Sequence, residues 1–210
     1  MIISHSYKFI FIHINKCAGT SITKALLPVL GEHDLILGCT PEGEKLNIES
    51  MKQGGLTKHS KAQNILEKVG SEIWNSYFKF SFVRNPWDLT VSQYHWCIKT
   101  SWDDEKKSIK RIKELEDFED YLLSPLSHRQ NCIDHISDIN GNINIDYIGK
   151  FERLSNDFNE VCERTGLPNI NIGIHNSTEH LHYTEYYNPL TRDLIKDRHA
   201  RDIYYFDYTF

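Results

Sequence analysis

Two strand-to-helix turns constrain this chain more than any other feature: one opens at Asn15, the other at Arg84, and each is furnished to hold a phosphate. The first follows the apolar run Phe9-Ile10-Phe11-Ile12-His13-Ile14. That run breaks into Asn15-Lys16-Cys17-Ala18-Gly19-Thr20-Ser21, after which apolar residues recur at Ile22, Ala25, Leu26, Val29 and Leu30. The pattern reads as strand, loop and helix. The first N–H groups of such a helix have no intrahelical partner and lie at the positive end of its dipole, so they favour an anion. Gly19 permits close backbone approach, Thr20 and Ser21 add hydroxyls, and Lys16 adds a mobile point charge. An ordinary turn capped by Thr or Ser would look similar, and it is the second turn that adds weight. There Phe78-Lys79-Phe80-Ser81-Phe82-Val83 reads as a buried strand, and Arg84-Asn85-Pro86-Trp87-Asp88 leads into a helix reaching Cys97. Asn85 is its expected cap and Pro86 its first residue. Arg84 brings a planar fork suited to a phosphate, and Ser92 stands about two turns along the helix. A local Arg84–Asp88 salt bridge is the competing reading. Two such turns suggest a ligand with two phosphate ends.

Around these turns, further strands are expected at 35–37 and 145–148, and helices at 62–69, 109–123, 154–165 and 190–201. Strands alternating with helices predict an α/β fold. The expectation is a single domain over residues 1–210, with a mostly parallel central sheet flanked by helices and a P-loop-like nucleotide-binding core. With 210 residues, of which 40% are apolar, the chain is long enough to bury a sizeable core. No repeat or linker divides it. The charged stretch 103–119 reads as a solvated helix face, with the rim of a substrate site as the alternative.

Several function classes are disfavoured. The net charge is −5 and the basic residues are dispersed, which argues against a nucleic-acid partner. Five cysteines, an odd number without close pairs, argue against a disulfide framework and for a reducing compartment. No apolar stretch approaches the ~18 residues of a membrane span, and the first strand begins too early for a signal peptide, so a cytoplasmic location is expected. Lys16 precedes Gly19, unlike the order in G-x-x-x-x-G-K-[ST], and no G-x-G-x-x-G follows a strand. A cysteine phosphatase loop built on Cys17 would need arginine at the position of Thr23. His175, His180 and His182 lack an H-E-x-x-H or a cysteine pair, so no metal is expected.

At this point a likeness emerges. FIFIHINKCAGTSI and YFKFSFVRNPWDLTVSQYHW resemble the two nucleotide-binding signatures of sulfotransferases that use 3′-phosphoadenosine 5′-phosphosulfate (PAPS). The branch is that of Golgi-type carbohydrate and heparan sulfate 2-O-sulfotransferases and their bacterial relatives. The likeness continues through KHSKAQNILEKVGSEIWNSYF, IDYIGKFERLSNDFNEVCERTGL and HYTEYYNPLTRDLIKDRHARDIYYFDYTF, and so covers most of the chain. It implies that Lys16, Cys17, Ala18, Gly19, Thr20 and Ser21 hold the 5′-phosphosulfate and that Arg84 and Ser92 hold the 3′-phosphate. It implies a bacterial sulfotransferase domain that releases adenosine 3′,5′-bisphosphate (PAP) without a metal, with a hydroxyl-bearing acceptor, a glycan first and a small-molecule or lipid alcohol second. The segment 173–183 resembles the family's late loop over the nucleotide. Two departures affect the first loop: Asn15 stands where proline is common, and Cys17-Ala18 replaces the usual Thr-Gly. The acceptor hydroxyl needs a base, and a neutral imidazole suits that work near neutral pH. His59, just before a helix, lies where the resembling 2-O-sulfotransferases place a catalytic histidine, so Lys16 and His59 are the expected catalytic pair. A histidine that only caps or packs at that helix start is the alternative. His13 is expected to point into the core or the sheet face. A nucleotide-binding module without transfer activity is the rival from another class.

Overall fold

The computed structural model describes residues 1–101, 107–173 and 180–210. In chain order these form β1 (Ile2–Ser4), β2 (Phe9–Ile12), α1 (Gly19–Leu26), β3 (Leu35–Ile36), α2 (Pro41–Lys52), α3 (Ala62–Ser76) and β4 (Phe78–Val83). They continue with α4 (Pro86–Lys99), α5 (Lys107–Lys113), α6 (Phe118–Leu123), α7 (Ile133–Ile136), β5 (Tyr147–Lys150), α8 (Leu154–Thr165), α9 (Pro189–Arg198) and α10 (Ala200–Phe206). The described chain groups into two units, one holding residues 1–83 and 132–173, the other 84–131 and 180–210.

The first unit contains a five-stranded sheet in the order β3-β1-β2-β4-β5. It is mixed, which corrects the expectation of a mostly parallel sheet. β1 is antiparallel to both β2 and β3, whereas β2–β4 and β4–β5 are parallel. The cause is local. Ile2 and Ile3 make an apolar run too short to announce a strand, yet they pair with Phe11 and Ile10 across a four-residue turn, and so short a connection permits only antiparallel pairing. All four residues of β2 are buried, as its unbroken apolar run requires of a strand covered on both faces. Phe11 pairs with Phe80 and stacks on it at 5.1 Å, a cross-strand contact that fixes the β2–β4 register.

Helices of this unit follow their sequence signals unevenly. α8 occupies the expected span and packs on β5, with Phe158 and Val161 fully buried. It stops at Gly166, whose φ of 69° lets the Leu167 N–H donate to the Cys162 carbonyl at 3.0 Å. α3 runs past its expected end to Ser76 across a kink at Gly70, where φ is 80°. α2 has no counterpart in the sequence expectations. The Thr40 hydroxyl caps it by accepting from the Gly43 N–H at 2.9 Å, but Gly43 is its one buried residue, so it carries little apolar periodicity.

The second unit is helical, built on a core of Trp87, Val91, Cys97, Ile112, Phe118, Tyr121, Leu122 and Ile195. The helix expected at 109–123 is two, because the Asp117 carboxylate accepts from the Asp120 N–H at 2.9 Å and starts α6 anew. The helix expected at 190–201 likewise breaks at His199, between α9 and α10. In the charged stretch Ile109 and Ile112 are buried while most of their described neighbours are exposed, as a solvated helix face requires. Residues 103–106 of that stretch lie outside the described residues, as do 174–179 of the expected late loop, His175 included.

Candidate functional site

β2 and β4 are adjacent and parallel, so both end at the same edge of the sheet, where open α/β sheets collect ligands. Beyond β2 the chain makes a turn with an unusual backbone. Lys16 and Ala18 adopt left-handed φ of 62° and 63° on either side of Cys17, which does not. Such alternation can gather successive N–H groups into a concavity suited to an anion, while the Cys17 N–H itself donates to the Ile14 carbonyl at 3.4 Å. α1 starts directly afterwards, with no side chain capping it at Ala18, and its first intrahelical bond runs from the Ile22 N–H to the Ala18 carbonyl at 3.0 Å. Its dipole therefore adds to the same concavity.

The side chains of this turn divide by burial. Cys17 and Ser21 are buried, and Lys16, Ala18 and Thr20 are half-buried. The Cys17 thiol lies 3.9 Å from that of Cys132, and the five cysteines are all free thiols. The replacement of glycine by Ala18 falls on a left-handed residue, where a Cβ costs about 1–2 kcal/mol. Ala18→Gly removes that strain but loosens the unfolded chain by about 0.4–1 kcal/mol. The expected outcome is a net gain of up to about 1.6 kcal/mol, read as a higher Tm in calorimetry; a lower Tm would show that the turn is relaxed with alanine.

Gly19 is required by a neighbour. A Cβ at this position would collide with the imidazole of His13, which is buried just beyond β2 and stacks on Phe11 at 5.8 Å. The His13 ring in turn meets His59 edge-on, with centroids 4.7 Å apart. His59 sits between α2 and α3 in a turn closed by the Ser60 N–H on the Thr57 carbonyl at 3.0 Å. Its Nδ1 lies 2.9 Å from the His13 carbonyl oxygen. A carbonyl only accepts, so Nδ1 carries the hydrogen and neutral His59 keeps its lone pair on Nε2.

The preceding residue is held twice by α2. The Lys58 N–H donates to Asn47 Oδ1 at 2.6 Å, and Lys58 Nζ pairs with Glu44 Oε1 at 2.9 Å. Burial pushes the pKa of His59 down to about 4, the Lys58 cation adding to burial and the His13 carbonyl opposing it. His13, deeper still, lies well below the ordinary imidazole range, again chiefly from burial. Glu44, His135 and the Met1 amino group are the other titratable groups whose fields reach this pair. At neutral pH both imidazoles are uncharged.

The second turn opens the other unit. Arg84 is buried and donates through Nε to Asp88 Oδ2 at 2.7 Å, so the salt bridge considered as the competing reading is present. Asn85 caps α4 as expected, its Oδ1 accepting from the Trp87 N–H at 3.0 Å, while its Nδ2 donates to the Thr209 carbonyl at 2.9 Å. Ser92, in the second turn of α4, is buried. Lys16 to Ser21 and His59 thus belong to one unit, Arg84 and Ser92 to the other. His180 stacks on His95 at 5.1 Å, and His182 bonds Thr184 through Nδ1 at 2.8 Å. Among the described residues no group of three or more His, Cys, Asp or Glu side chains is gathered as for a metal ion, and no helix is long and apolar enough to cross a membrane.

What the sequence did not disclose is the contact of His13 with both Gly19 and His59, and the anchoring of Lys58 by Glu44 and Asn47. No spacing rule announces a carbonyl contact spanning 46 residues.

An uncharacterized protein of Archaeoglobus fulgidus is 27% identical over 104 residues, which cover 50% of this chain and 80% of that protein. No solved structure matches the chain. The family model described as the sulfotransferase family matches residues 1–210, both turns and everything between and beyond them, and the chain therefore belongs to the sulfotransferase family.

Proposed function

We propose that residues 1–210 act as one PAPS-dependent sulfotransferase domain that moves a sulfuryl group onto a carbohydrate hydroxyl. The observation that carries this reading is the 16–21 turn, where left-handed Lys16 and Ala18 and the uncapped start of α1 present N–H groups to an anion in a chain of this family. Bound PAPS would supply a sulfur made electrophilic by its phosphate leaving group. The 16–21 turn holds the 5′ end, and Arg84 with Ser92 takes the 3′-phosphate, Asp88 fixing the plane of the guanidinium.

His59 Nε2 removes the proton of the acceptor hydroxyl as its oxygen forms the new S–O bond. Lys16 steadies the charge that grows on the bridging oxygen as the old S–O bond breaks and PAP departs. The Nδ1 bond to the His13 carbonyl keeps the Nε2 lone pair available in the neutral ring. A pKa near 4 makes a free imidazole a weak base, but an anionic donor beside it favours the imidazolium and strengthens it at the moment of use. No divalent ion is needed, because a sulfuryl group carries less negative charge than a phosphoryl group.

The test is transfer of radiolabelled sulfur from PAPS to a panel of glycans, small alcohols and lipid alcohols after exhaustive chelation. Label on a glycan without added metal is the expected result. Label confined to a lipid or small alcohol would replace the acceptor class, activity restored only by magnesium would indicate a kinase-like enzyme, and nucleotide binding without transfer to any acceptor would leave a binding module.

A further inference from the structure

Two features of His13 serve different neighbours. Its carbonyl oxygen accepts the Nδ1–H of His59 at 2.9 Å, and its ring fills the space that a side chain on Gly19 would need. The ring is confined on its remaining sides by Phe11, stacked at 5.8 Å, by the edge of His59 at 4.7 Å and by the Cys39 thiol, 3.8 Å from Nδ1. So tight a cage sets the place of the ring and, through it, the place of the residue's own carbonyl.

We propose that His13 is a positioning residue: its carbonyl selects the tautomer of the His59 base, and its ring, seated against Gly19, locks that base to the turn that starts α1. Calling His59 a base rests on the proposed sulfuryl transfer, whereas the positioning itself does not. Burial keeps the His13 ring neutral, so it shapes the site without placing a cation beside His59. Any displacement of the turn is passed to His59 through one packed ring, and a shift of about 1 Å at a catalytic group is enough to cost about 10²-fold in rate.

The experiment is nitrogen-15 NMR of the histidine side chains, which reads tautomer and titration midpoint of His59, in a cycle of His13→Ala, Gly19→Ala and the double variant, with His13→Phe as the conservative companion. Wild type should show the Nδ1–H tautomer and a midpoint far below the ordinary value. His13→Phe keeps the ring's bulk and the carbonyl, and should look like wild type. His13→Ala opens a void, and Gly19→Ala forces the ring aside. Each should mix the tautomers, move the midpoint away from its wild-type value and lower turnover by about tenfold or more. In the double variant the new methyl enters the void, so its signature should be closer to wild type than that of Gly19→Ala alone, a coupling that independent sites would not show. If Gly19→Ala does not fold, the contrast between His13→Ala and His13→Phe decides. A His59 tautomer and midpoint unchanged in folded His13→Ala would overturn the proposal, as would a double variant worse than Gly19→Ala. Absence of sulfuryl transfer in wild type would sink the functional reading instead, and leave the positioning role of His13 to be decided by the NMR spectra alone.

Discussion

His59→Asn should lower turnover by about 10²–10⁴ while leaving PAP affinity nearly intact, because it removes the acceptor lone pair at Nε2 without altering the turns proposed to bind the phosphates. Asparagine preserves polarity and approximate size, and its amide N–H can replace the imidazole Nδ1–H at the His13 carbonyl. The fold is therefore kept, and a loss of rate reports on proton transfer. The acid limb of kcat/KM supplies an independent check. The pKa of His59 in the free enzyme is depressed to about 4, so above that value the ring is neutral and competent, and below it the ring is protonated and inert. Activity should accordingly persist as pH falls through 6.5, the ordinary imidazole value, and fail only toward 4. If His59 only packs at the start of α3, the Asn variant should keep wild-type turnover, and that result would send the search to another histidine or a carboxylate.

The two strand-to-helix turns were legible in the sequence because their cause is local. An apolar strand, a break and a helix follow one another within about twenty residues, and Asn85 and Pro86 mark the start of α4 by their own chemistry. α8 was legible for the same reason, its periodicity running unbroken to the stop at Gly166. The mixed sheet was not, since Ile2 and Ile3 become a strand only by pairing with Phe11 and Ile10 on one side and with β3 on the other. α2 escaped because its polar surface hides the helix period, although Thr40 and Pro41 announce its start. Within the site, residue types were readable and their mutual geometry was not. The resemblance singled out Lys16 and His59, but the left-handed backbone at Lys16 and Ala18 and the role of the His13 carbonyl depend on tertiary packing that brings residues 13, 19 and 59 together.

The proposal that the nucleotide's 3′-phosphate is read by Arg84 and Ser92 is tested most directly by calorimetric titration with PAP and with AMP. These ligands share the adenosine and the 5′-phosphate and differ by the 3′-phosphate assigned to Arg84 and Ser92. A buried guanidinium that engages a phosphate through charge-assisted bonds is worth about 2–5 kcal/mol when truncated, so PAP should bind about 10²-fold tighter than AMP, or better. Arg84→Ala alone would strand the Asp88 carboxylate that it now pairs at 2.7 Å, so the informative variant combines it with Asp88→Asn and leaves no unpaired buried charge. That double variant should retain AMP affinity and lose most of the preference for PAP. If the pair is only a helix-start salt bridge, the variant should lower the Tm and leave the two affinities in their wild-type ratio. A wild-type protein that binds PAP far more tightly than AMP, with the difference erased at Arg84, is the predicted result; equal affinity for the two nucleotides in the wild-type protein would contradict the account.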